Sequence, residues 1–291
     1  MKREAAGPHI SRQALAHLVV LLAVLALIAP ILGHAVEVWS ADEEFSYGFL
    51  IPPITLALLW WKRAELRQSV GPGRNSGLLL VLGAVVLILV SRRMSINVLA
   101  GIAVAPLLIG AAAYLWGWRT ARGVVFPSVF LLFGLALYRG LLSSIGFVLQ
   151  EITATGAHLA TRTLGLDVAR DGLVLHSVGA APGYAFEVAQ ACSGMSSLLS
   201  LLALAALLVF ATRGRLVGRI AVLAGVLPLV IIANTARVSA VLVVADWLGQ
   251  DAALGFFHGA SSLVLFGVAL AGMLLLSRTV GCRLPSIATS P

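Results

Sequence analysis

Eight stretches of almost unbroken apolar residues run along the chain, with short polar segments between them. They are Ala14–Leu32, Phe49–Trp61, Gly77–Val90, Ile96–Trp118, Gly123–Tyr138, Ala189–Ala211, Arg219–Ala245 and Phe256–Leu276. A helix needs about 20 apolar residues to cross a bilayer core. The pattern therefore predicts membrane-spanning helices, the second and third short enough to borrow from their flanks. The first run follows a basic N-terminus (Lys2, Arg3, Arg12). It is longer than the roughly 7–15-residue core of a secretory signal and has no clear small-residue cleavage site. It is read as an uncleaved span.

Two segments break the pattern. Leu141–Leu164 mixes apolar positions with Gln150, Glu151, His158 and Arg162. Two placements fit it: an amphipathic helix lying in the interface, or a span lining a polar cavity. After it, Asp167–Val188 is polar. Leu173, Val174 and Leu175 lead to a Gly179–Pro182–Gly183 cluster, and Tyr184, Phe186 and Val188 then alternate with other residues. That spacing predicts a short β-hairpin. The expected fold is all-α: a polytopic bundle of about eight spans with a short outer-face hairpin. It is read as one integral membrane domain over residues 1–291, with a cytoplasmic N-terminus at 1–13, an outer-face loop or hairpin at 166–188 and a cytoplasmic tail at 278–291.

Composition supports this reading. Hydrophobic residues make up 60% of the chain and charged residues 11%, against about 45–50% and about 25% in soluble domains. That excludes a soluble enzyme and a disordered chain. The net charge is +8, but the basic residues sit in small groups at the ends of apolar runs, as in topology signals, and not in a patch for nucleic acid. With the N-terminus inside and Leu141–Leu164 not crossing, the inner segments hold Lys62, Arg63, Arg67, Arg74, Arg119, Arg122, Arg213, Arg215, Arg219, Arg278 and Arg283. This agrees with the positive-inside rule; Arg92 and Arg93 run against it.

On that topology three chemically distinctive residues share one depth. Cys192 lies near the outer start of the sixth run, and His258 near the outer start of the eighth. Arg237 is about 27 Å along a helix from Arg219 at ~1.5 Å per residue, which carries it from the inner face to the outer interface. A lone cysteine in an apolar helix is usually a small buried hydrophobe, and a histidine at a helix start is usually solvated. An intramembrane arginine is costly and a functional candidate by default. Together the three suit thiol acyl transfer. Cys192 is the nucleophile, with a nearby cation lowering its pKa. His258 activates it or protonates the leaving amine, and Arg237 holds the oxyanion. Asn234, one turn before Arg237, is a candidate to orient the guanidinium or bind substrate backbone. Ser193 and Gly194 let backbone approach the nucleophile, although ordinary small-residue packing explains them equally well.

These residues carry a resemblance. Ala191-Cys-Ser-Gly, then Ala233-Asn-Thr-Ala-Arg-Val238, then Phe256-Phe-His258 resembles the signature of the exosortase/archaeosortase family. Asp42-Glu-Glu-Phe-Ser-Tyr-Gly-Phe-Leu-Ile-Pro52 resembles that family's early stretch, and Phe126–Phe133 its mid-chain Phe-Pro segment. Tyr47 stands where the family usually has His, and Gln190 where an acid is frequent. The resemblance implies a multi-pass bacterial transpeptidase of the inner membrane with its site facing the exterior. Cys192, Arg237 and His258 would be its catalytic residues. Its partners would be membrane lipid and exported proteins ending in a tripartite tail: a short motif, a transmembrane helix and a basic cluster.

A transporter, or an accessory subunit of exopolysaccharide or protein export, is the alternative; it would explain the spans and the arginine without a nucleophile. No Gly-x-Ser-x-Gly, Gly-x-Gly-Asp or His-Glu-x-x-His occurs, which disfavours other intramembrane protease classes. No cofactor and no metal is expected, and no nucleic-acid partner. Cys192 and Cys282 fall at opposite faces and are not expected to pair.

Overall fold

The computed structural model describes residues 12–135, 137, 139–179, 183–188, 195–256 and 262–282. The chain divides into two compact units, Met1–Leu137 and Tyr138–Pro291.

The first unit runs through α1 (Arg12–Ala41), a 3-10 helix (Glu43–Leu50), α2 (Ile51–Trp61), α3 (Arg63–Ser69), α4 (Ser76–Met94), α5 (Asn97–Phe130) and a second 3-10 helix (Leu131–Gly134). Among the described residues, three of its segments, Leu15–Ala41, Ser76–Met94 and Asn97–Gly134, are long and apolar enough to cross a membrane. Their outward faces carry exposed leucine and valine (Leu22, Leu25, Leu79, Val86), a surface that belongs in lipid. The inner seam is Val24 and Ile28 of α1, Ala84 and Ile88 of α4, and Val104, Leu107 and Ala111 of α5. Lipid tails give no hydrophobic drive, so small residues must bring helix backbones together. Gly77 of α4 does so: a Cβ there would stand 2.6 Å from the Tyr114 nitrogen and 2.7 Å from the Gly110 oxygen.

The fourth apolar run and the first part of the fifth, expected as separate spans, fall in one helix, α5, and the fifth continues into the 3-10 helix Leu131–Gly134. A break near the end of the fourth run, at Gly117, interrupts α5 with φ 84° and ψ 167°. The 70–75 loop lies on this break: Gly71 N–H donates to Trp116 O at 3.1 Å and Arg74 N–H to Ala113 O at 3.0 Å. The polar link at Arg119–Arg122 is itself helical; Thr120 and Ala121 are buried, and both arginines face out.

The second unit contains α6 (Arg139–Thr163), β1 (Val168–Asp171), β2 (Val174–Ser177), β3 (Ala185–Glu187), α7 (Met195–Ala211), α8 (Leu216–Leu248), α9 (Gln250–Phe256) and α10 (Ser262–Thr279). Among the described residues, only Leu216–Leu248 here is an apolar helix long enough to cross a membrane; Ser197–Ala211 and Leu265–Thr279 are shorter apolar helices. The ambiguous 141–164 segment is helical as far as Thr163 and packs on α8.

The expected hairpin is present as β2–β3, with Leu175 opposite Phe186. The sheet has a third strand, β1, antiparallel to β2, with Asp171 opposite Val174. Gly172 turns this first hairpin at φ 61°. The sequence pattern concealed β1 because Arg170 and Asp171 interrupt its alternation. The structure pairs Arg170 elsewhere: its Nη1 donates to Thr155 Oγ1 at 2.6 Å, and its Nη2 lies 3.7 Å from Glu151 Oε1, both on α6.

Candidate functional site

α8 organises the second unit, and its buried residues change partners along its length. In the first two-thirds, Val222, Val226, Val230 and Ala233 pack with Leu201 and Ala205 of α7 and Leu265, Ala269 and Met273 of α10. Glycine allows close contact here too: Gly225 lies under Leu276, and Gly272 under Leu229. In the last third, Val238, Val241, Leu242 and Ala245 pack instead with Ala154 and Ala157 of α6 and with Leu175, Tyr184 and Val188 of the sheet region. Arg237 stands at the changeover, half-buried.

Helix register gives the height of Arg237. Arg219 Nη2 donates to Thr212 O at 3.0 Å across the α7–α8 turn. Stepping equally up both antiparallel helices brings Met195, the first residue of α7, level with the α8 turn Ile232–Ala236. The α10 contacts at Gly225–Leu276 and Leu229–Gly272, stepped the same way, bring Arg237 level with Val264 in the first turn of α10. Arg237 therefore lies within about a turn of the height where α7 and α10 both begin.

Asn234, one turn earlier, is fully buried at 1% exposure. Its Nδ2 donates to Thr153 Oγ1 of α6 at 3.1 Å. Gly156, the next turn of α6, leaves no room for a side chain, since a Cβ there would lie 2.8 Å from Thr235 Cγ2. Thus α6 is pinned by a buried polar bond and a close helix contact to the turn that bears Arg237. Thr153 was not singled out in the sequence. The available signal was a stripe of small and polar residues at helical spacing, Gln150, Thr153, Ala157 and Thr161, on a helix too polar to be packed wholly against lipid.

Above Arg237 sits the sheet. Tyr184 is buried, and Asp246 of α8 lies within reach of its hydroxyl without forming a well-aligned hydrogen bond. Burial first, then the Asp246 charge, push the tyrosine pKa from 10.0 up to about 12. Cys192, Ser193, Gly194 and His258 lie outside the described residues. Cys282 is buried near the other end of α8, where a Cβ on Gly214 would stand 3.0 Å from its Sγ. Among the described residues no group of His, Cys, Asp and Glu gathers to hold a metal.

The two other segments that carried the resemblance meet within the first unit. Tyr47 Oη donates to Phe133 O at 3.2 Å, and Trp39 Nε1 to Gly134 O at 2.6 Å. Gly48 packs directly on the Trp39 indole, with no space for a side chain.

A family model described as "Transmembrane exosortase" matches residues 39–275. No curated protein and no solved structure matches the chain.

Proposed function

The chain belongs to the transmembrane exosortase family, and from that premise we propose that it is a membrane-embedded cysteine transpeptidase that cuts the C-terminal sorting tails of exported proteins. The supporting observation is the height of Arg237. It stands within about a turn of the starts of α7 and α10, and Cys192 precedes Met195 by three residues while His258 precedes Ser262 by four. At about 3.3–3.6 Å per residue at most, chain connectivity keeps the two within roughly 11 Å and 14 Å of those helix starts.

In this reading the Cys192 thiolate attacks the scissile carbonyl above the substrate's transmembrane helix. The carbonyl oxygen becomes an oxyanion, held by the guanidinium N–H donors of Arg237. His258 gives its proton to the leaving amine as the C–N bond breaks. The product is a thioester on Cys192 and a released tail. An acceptor nucleophile then attacks the thioester and restores the thiol. Asn234 acts from behind, keeping the Arg237 turn anchored to α6. The site faces the exterior of the bacterial inner membrane, because the basic α7–α8 turn at the other end of the unit belongs inside.

The test is processing of a reporter with a tripartite tail in cells. Cys192→Ala should abolish processing while the protein still accumulates in the membrane, and Cys282→Ala should leave processing intact. Normal processing by Cys192→Ala would overturn the mechanism.

A further inference from the structure

The sheet of the second unit has one covered edge and one open edge. Its strand order is β1-β2-β3. β1 lies against α6: Val168 is buried, and Arg170 reaches Thr155 and Glu151. In β3, Ala185 and Glu187 are exposed on either side of half-buried Phe186. Two bonds show which way the β3 backbone faces. Val188 N–H donates to Leu173 O at 2.9 Å, and Ser177 N–H to Tyr184 O at 3.0 Å. In an antiparallel pair, residues that exchange bonds alternate with residues that do not. Tyr184, Phe186 and Val188 therefore turn their backbone to β2. Ala185 and Glu187 turn their N–H and C=O groups the other way, and among the described residues no backbone group meets them. Such an edge is a template for another extended strand.

The open edge is held close to the candidate site. Tyr184, Phe186 and Val188 pack with Val238, Val241, Leu242 and Ala245 of α8, the segment that follows Arg237. Cys192 comes five residues after Glu187. At about 3.3–3.6 Å per residue at most, it lies within roughly 18 Å of the strand. A strand added to the edge advances about 3.3 Å per residue, so about five of its residues cover the same distance. A polypeptide leaving the membrane has come to the end of its own helix, and its next backbone N–H and C=O groups need partners. Strand addition supplies them, with affinity from main-chain bonds.

We propose that the outer edge of β3 binds the extended segment of the substrate that precedes its transmembrane helix, by β-strand addition to the N–H and C=O groups of Ala185 and Glu187. The assignment rests on the reading of Cys192 as the nucleophile. A tethered substrate is favoured over a second copy of the chain by the length of the edge. β3 has three residues, so two such edges would share only a few bonds. A substrate anchored in the same membrane by its own helix is held at high effective concentration, and a few bonds then suffice to align it.

The full chain carrying Cys192→Ala, Cys282→Ala and Glu187→Cys is produced in cells with the tailed reporter, and single cysteines are walked through the reporter segment before its transmembrane helix. Disulfide formation under mild oxidation should peak at every second reporter position. Neighbouring strands bring opposite Cβ atoms to about 4.5–5.5 Å, and successive side chains alternate between faces. This readout needs no catalysis, so it stands or falls apart from the role of Cys192. With both cysteines intact, Glu187→Pro should process the reporter about tenfold more slowly than Glu187→Gln, which keeps the N–H; that is the upper worth of one net hydrogen bond. Proline is tolerated on an edge strand where the lost N–H faces outward, and equal thermal unfolding of the two variants checks that the sheet persists. Cross-links spread evenly along the reporter, no cross-links, or equal processing by the two variants would overturn the proposal. Enzyme–enzyme dimers in place of enzyme–reporter adducts would give the edge to a second copy and overturn it as well.

Discussion

Arg237 is permanently charged and half-buried on an apolar helix, so its replacement separates two roles. A guanidinium that only anchors to lipid phosphate is replaceable by a lysine, which supplies a point charge. One that holds an oxyanion through directed N–H donors is not, because an ammonium lacks the planar fork. Loss of one oxyanion donor costs about 10²–10³-fold in rate. Arg237→Lys should insert and accumulate normally but lose at least about 10²-fold in turnover of a tailed reporter, normalised to enzyme in the membrane. Turnover near wild type would leave Arg237 as a charge anchor. Thr153 has a different part. Thr153→Val keeps the shape but removes the acceptor for Asn234 Nδ2, and a buried donor deprived of its acceptor costs about 1–3 kcal/mol. Thermal unfolding of the purified protein should shift down accordingly, with Thr153→Ser restoring most of the loss.

Where the sheet meets the end of α8, Tyr184 ties packing to alkaline pH. Tyr184 joins Leu175 and Val188 against Val241, Leu242 and Ala245. Its folded pKa, about 12, stands above the ordinary 10.0, so folding favours the protonated phenol. The contribution of Tyr184 to docking of the sheet on α8 is then fully present below about pH 10 and is lost as pH rises through about 12. In an absorbance titration of phenolate, the difference between wild type and Tyr184→Phe should appear near pH 12. A difference centred at the ordinary value would show that Tyr184 is open to water and that the sheet is not seated on α8.

At the scale of the molecule, each unit gathers a group of basic residues at one end, with Arg92 and Arg93 at the opposite end of α4 as the exception in the first. In the first, the 70–75 loop is bonded to α5 at Ala113 and Trp116, so Arg74 and the α5 turn bearing Arg119 and Arg122 share an end. In the second, Gly218 of α8 packs against the Val280 carbonyl, which brings Arg215 and Arg219 to the same end as Arg278. The positive-inside rule predicts a cytoplasmic location for each of these ends, the orientation proposed above. Val178, just after β2, is 54% exposed. In a background lacking Cys192 and Cys282, Val178→Cys should react with an impermeant thiol reagent from outside, and Arg215→Cys only after the inner membrane is permeabilised. The reverse pattern would invert the topology and place Arg237 toward the cytoplasm.

The helical, multi-pass character was legible in the sequence because in lipid it depends on local quantities: run length, apolarity and the sign of flanking charges. The β2–β3 hairpin was legible for the same reason, since alternation and turn residues are short-range. The order of Cys192, Arg237 and His258, with their motifs, carried the family. Contacts between residues far apart in sequence required the tertiary structure. No local pattern announces that Thr153 meets Asn234, that Gly156 yields space to Thr235, or that Arg170 turns from β1 to Glu151 and Thr155. Nor could periodicity show that α5 continues through Arg119–Arg122 after breaking at Gly117. That break follows from the 70–75 loop lying on its backbone, and only a glycine accepts the required φ with the Pro72 carbonyl 2.8 Å from where a Cβ would stand. Sequence determined which segments are apolar enough to be candidates for the membrane; packing decided which polar groups meet between the helices, because a buried polar atom is satisfied only by partners that the fold brings to it.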